Sequence, residues 1–149
     1  MKSTWILVAH EGGARFFESR GPGKGLDLVE EIEHAEGRER DRDLQSDRPG
    51  RSFRKDSGDP RRAAMSRSEG PRQRAVASFA RELAHKLQHG RVQHQYHRLV
   101  LVAPPRFLGL LRSALDGPTA HMVVGSLDKD LATTKEADLI KHLGGVIAV

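Results

Sequence analysis

The chain of 149 residues contains no cysteine. That single absence excludes disulfide staples, thiolate nucleophiles and cysteine zinc sites together, and it fits a reducing compartment. Long apolar runs are also missing. The opening MKSTWILVAH carries one lysine and an apolar run only from Trp5 to Ala9, short of the ~7 to 15 residue centre of a secretory signal. Nothing approaches the roughly 20 apolar residues of a membrane span. The expectation is a cytoplasmic protein without membrane contact.

Several chemical signatures are absent as well. There is no HExxH, no GxSxG elbow and no Walker loop. The glycine-rich Gly21 to Gly25, GPGKG, lacks the Ser or Thr that must follow the lysine of a phosphate loop, and an alternating strand pattern comes next, so it reads as a hairpin reversal. His85 and His89 lie one helical turn apart, with His94 and His97 beyond. They fall off the apolar face of their helix and read as exposed polar residues, so no metal and no cofactor is expected. Glu11, Asp128 and Asp130 stand after predicted strands, but Glu11 reads as a turn residue and the two aspartates as companions of a helix start. No catalytic residue is assigned.

What is present is a chain long enough for one domain, since ~150 residues bury about 70% of the unfolded surface. Thr4 to His10 reads as a buried strand and Ala14 to Glu18 as a second. Leu26 to His34 reads as a third, with Leu26, Leu28 and Ile32 on alternate positions. These three form an antiparallel meander. Pro71 opens a helix in which Val76, Phe79, Ala80, Leu83 and Leu87 form an apolar stripe, ending near Gly90. Leu99 to Ala103 is a continuous apolar run, the mark of a central strand covered on both faces. Pro104 and Pro105 stop it, and Arg106 to Leu115 forms the next helix, with a turn at Asp116 and Gly117. Met122 to Leu127 is the fifth strand. Thr133 and Glu136 have the spacing of a capping box for a last helix to Leu143, and the apolar tail from Gly144 to Val149 is expected to pack or to pair at an edge. The class is α/β: one mixed five-stranded sheet with helices packed on it.

The formal charge of +5 is concentrated between Ala35 and Arg74, where twelve Arg and Lys face eight Asp and Glu. From Ala35 to Gly70 the only large apolar residues are Leu44, Phe53 and Met65, too few to offset the entropy of ordering the segment. A long, mobile, charged loop inside the single domain 1–149 is expected. Within it, Arg48, Arg51, Arg54, Lys55, Arg61 and Arg62 with Phe53 suit phosphate contacts and one stacking contact, as in surfaces that bind structured RNA. Arg106 stands at a helix start, where the dipole disfavours a cation. Packing explains it least, which marks it as a contact residue.

The segment Leu99 to Leu115, LVLVAPPRFLGLLRSAL, the block Lys129 to Leu131 and the residues Pro49 to Phe53 resemble the bacterial family of proteins required for attachment to host cells. That family is in turn similar to the middle domain of archaeal and eukaryotic peptide-chain release factors. The resemblance implies a ribonuclease-H-like strand arrangement, with the first strand beside the fourth, and a loop that precedes the first long helix as the catalytic Gly-Gly-Gln loop does in release factors. Gly-Gly-Gln does not occur here, which counts against peptidyl-tRNA hydrolysis, and His10 stands where family members often carry Asp. The leading expectation is a non-catalytic RNA- or ribosome-binding domain. The alternatives are an attachment factor working through protein or polysaccharide contacts, and a metal-dependent nuclease or hydrolase.

Overall fold

The strand β1, Thr4–His10, is buried along almost its whole length, because helices or loops cover both faces of the sheet at that point. In the computed structural model, residues 3–38 and 70–147 are described. The remaining elements are β2 (Gly13–Ser19), β3 (Leu26–Glu33), α1 (Ala35–Arg38), α2 (Pro71–Val92), β4 (Arg98–Val102), α3 (Pro105–Ala114), α4 (Gly117–Ala120), β5 (Val123–Leu127) and α5 (Glu136–Leu143). They build a five-stranded sheet in the order β3-β2-β1-β4-β5. β1 pairs antiparallel with β2 and parallel with β4, and β5 runs parallel to β4. The mixed α/β sheet is as the pattern predicts, and the pairing of first with fourth strand is as the family resemblance implies.

Alternation along β1 and β4 divides the core in two. Trp5, Leu7 and Ala9 join Leu99, Leu101 and Ala103 beneath Val76, Phe79, Leu83 and Leu87 of α2 and Phe107 and Leu111 of α3. Ile6, Val8, Val100 and Val102 face the opposite way, onto Leu139 and Leu143 of α5 and Leu131 before it. Both central strands therefore read as continuous apolar runs, as a strand covered on two faces must. The tail packs with this second layer through Val146 and Ile147, so of the two predicted fates it takes packing over edge pairing.

Four expectations need correction. Leu28 was expected to share a half-buried face with Leu26 and Ile32, but it is 52% exposed. The register of β3 shifts opposite Phe16 and Phe17, leaving Val29 as an extra residue. Such a bulge inverts the alternation beyond it, so Leu26 enters the second core layer while Ile32 packs on the first. The long helix does not stop at Gly90 but runs through it to Val92. That glycine serves close approach, since a Cβ there would lie 2.9 Å from the Trp5 ring. Thr133 caps nothing: α5 begins at Glu136 with Lys135 as its N-cap and no side-chain cap bond. The reason lies across the sheet, where Arg15 Nη2 donates to the carbonyls of Leu131 and Thr134 at 3.0 and 2.9 Å and holds that stretch as a turn. The expected turn at Asp116 and Gly117 is the start of α4, where Asp116 accepts from Thr119 N at 2.9 Å.

Of the expected long loop, Ala35–Arg38 forms the short helix α1, which packs on α2. Residues 39–69 lie outside the described residues.

Candidate functional site

The two helices on the first face of the sheet point their N-termini at the same sheet edge. α2 leads into β4 and α3 leaves it, so both start at the carboxyl ends of β1 and β4, the edge where ligands bind in open α/β sheets. Neither helix carries a neutralising acid in its own first turn. The N-cap of α2 is Gly70 and that of α3 is Pro104; neither supplies a side-chain cap, and neither first turn holds an acidic residue. Each helix therefore turns the positive end of its dipole toward that edge. Proline at the first position of each suits the role, because its missing N–H would have had no partner there.

Between the two helices lies a cleft of about 760 Å³, lined by Arg72, Arg74 and Arg81 of α2, Arg106 of α3 and Glu11 of the β1–β2 turn, with Val76, Phe107 and Leu110 among its apolar wall residues. Glu11 forms an ion pair with Arg72, each side chain about a third exposed. Arg81 and Arg106 form no ion pair among the described residues. Among the described residues the cleft is lined by four guanidinium groups and one carboxylate, a surplus of positive charge that attracts anions. Guanidinium forks match the geometry of phosphate and carboxylate alike.

The turn bearing Glu11 is held by histidines. His34 N donates to Gly12 O at 3.0 Å, and His34 Nδ1 lies 2.8 Å from Glu11 O. Since a carbonyl can only accept, the proton of His34 is assigned to Nδ1. Its ring stacks flat on Phe79, with centroids 4.2 Å apart. Burial pushes the His34 pKa below its ordinary value, opposed by Glu36 and Glu82. His10 Nδ1 accepts from Gly12 N at 3.1 Å, a bond that closes the same turn. Glu11 is thus fixed through its main chain while its side chain reaches across to α2.

Of the residues singled out from the sequence, Arg106 is exposed at the mouth of this cleft. Arg48, Arg51, Phe53, Arg54, Lys55, Arg61 and Arg62 lie outside the described residues. His85 and His89 are exposed on α2, as the stripe predicts. The GPGKG reversal turns at the opposite edge of the sheet, with Gly23 and Gly25 at φ of 77° and 72°, and has no part in the cleft. Asp130 accepts from Ala132 N at 3.4 Å in the loop after β5, whereas Glu11 faces Arg72. Among the described residues no group of three or more His, Asp or Glu side chains is placed to hold a metal.

Arg72, Arg74 and Arg81 were not singled out from the sequence. Arg74 and Arg81 are seven residues apart and so share one flank of α2, but only the packing of α3 beside that flank turns them into a cleft wall.

No helix among the described residues is long and apolar enough to cross a membrane. A comparison with curated proteins finds no match to the chain. The family model described as protein required for attachment to host cells matches residues 5–143, and the chain belongs to that family.

Proposed function

We propose that this member of the host-attachment family is a non-catalytic binding domain that takes the phosphate backbone of RNA, as presented by a ribosomal particle, in the cleft between α2 and α3. The observation that carries the reading is the convergence of Arg72 and Arg106 at two helix starts whose first turns hold no acidic residue, with Arg74 and Arg81 farther along α2 on the same cleft wall. A cation is disfavoured at such a position unless an anion joins it. In this reading Arg48, Arg51, Arg54, Lys55, Arg61 and Arg62 add further phosphate contacts and Phe53 a stacking contact. The strand order, with β2 antiparallel to β1, supports a likeness to the ribonuclease-H-like architecture and to the release-factor middle domain. An RNA-binding role inside the cell would make the attachment phenotype an indirect one.

The test is binding of a labelled single-stranded RNA to the full chain across a salt series. Arg81→Ala with Arg106→Ala should weaken binding about tenfold or more, and should lower the salt slope by about 1.4 if each arginine neutralises one phosphate of the single strand. Binding unchanged in both affinity and slope would remove the cleft from any RNA contact. The family description itself favours a second reading, in which protein or polysaccharide contacts serve attachment. Salt-insensitive capture of such a ligand by both wild type and the double variant would favour it.

A further inference from the structure

Among the described residues Glu11 is the one carboxylate lining the cleft, and it sits on the arginine nearest the start of α2. Its backbone leaves it little choice of position. The turn is tied to β3 through His34 and Gly12, and the carbonyl of Glu11 itself is engaged by His34 Nδ1. The side chain therefore reaches from the sheet edge into a different layer, to Arg72 in the first turn of α2. That turn has neither a capping side chain nor an acid of its own. Glu11 supplies from another part of the chain the negative charge that a helix start ordinarily draws from its own sequence. A carboxylate and a phosphate group offer a guanidinium the same paired acceptor oxygens.

We propose that Arg72 marks a phosphoryl-binding position kept filled in the free protein by the chain's own Glu11, and that a ligand phosphate binds by taking the place of that carboxylate. The inference rests on the reading of the cleft as a phosphate-binding surface. Exchange of one monoanion for another on Arg72 gains little. Net affinity then comes from further phosphates that reach Arg81 and Arg106, neither of which is paired among the described residues. The ligand class is accordingly a chain of several phosphates, such as an oligophosphate or a nucleic-acid backbone, and a single phosphate is a poor ligand. Glu11 sets the threshold: it rejects anions too small to recruit the other arginines.

A mutant cycle on the full chain tests this, with inorganic triphosphate and a labelled single-stranded RNA as probes at one fixed salt. Glu11→Gln keeps the shape of the side chain and removes its charge, and should tighten triphosphate binding about threefold to fivefold, the range of a partly exposed ion pair. In an Arg72→Ala background the same change should have no effect, because no occupied position remains to be vacated. Equal tightening in both backgrounds would mean that Glu11 acts only through long-range charge, and would overturn the proposal, as would no tightening in either. The cycle holding for triphosphate without any RNA binding would keep the phosphoryl position and overturn the RNA reading. RNA binding that depends on Arg106 but ignores Glu11→Gln would do the reverse. Failure of every variant to bind either probe would overturn both.

Discussion

Tyr96 is a single residue whose chemistry is tied to the packing of two elements. Its ring lies 4.9 Å from that of Trp5, and its hydroxyl donates to the carbonyl of Leu87 at 2.6 Å, near the end of α2. Burial pushes its pKa up to about 12. A phenol whose pKa is raised by folding ionises first in the unfolded chain, so the unfolded state binds fewer protons between pH 10 and 12 and stability falls over that window. Denaturant unfolding of wild type between pH 9 and 12 should show a loss of up to about 2 kcal/mol that Tyr96→Phe lacks. At neutral pH the phenylalanine variant should be less stable by about 1 kcal/mol, for the lost hydrogen bond and the buried carbonyl left behind. Parallel alkaline losses in the two proteins would show that Tyr96 titrates as an exposed phenol does.

At the scale of elements, the stretch before α5 is shaped by a residue more than a hundred positions away. Arg15 projects from β2 with its guanidinium 5.2 Å from the Phe17 ring and bonds both Leu131 O and Thr134 O, while its Nε is buried without a partner. Desolvation lowers its pKa, partly opposed by Glu31. Arg15→Leu keeps apolar bulk but strands two carbonyls, and should cost about 1–3 kcal/mol in denaturant unfolding. Amide exchange should accelerate at Thr134 and in the first turn of α5, and an unchanged pattern there would deny the arginine its role. The capping-box reading failed here for a physical reason. Thr133 and Glu136 have the right spacing, but two charge-assisted bonds from β2 outweigh a cap worth about 1 kcal/mol. The bulge at Val29 escaped in the same way, because a register shift is a property of two strands and leaves no mark on one.

At the scale of the whole molecule, a surplus of positive charge at one sheet edge should govern what the protein travels with. In a sucrose gradient of native lysate at low salt, the tagged full chain should comigrate with ribosomal particles and leave them at moderate salt. The variant with Arg51, Arg54, Arg61 and Arg62 changed to alanine should stay at the top of the gradient. Wild type remaining at the top at both salts would end the ribosomal reading. Element order, strand character and the covered central strands were legible from the sequence alone, because apolar runs, alternation and the Pro104–Pro105 stop are written within a few neighbouring residues. Arg106 was legible too, as a cation at a helix start that packing did not explain. The cleft was not. Arg72 and Glu11 stand 61 positions apart, and Arg106 belongs to a third element. Their meeting depends on α2 and α3 packing side by side over β1 and β4, and that closure across layers is decided only when the chain folds.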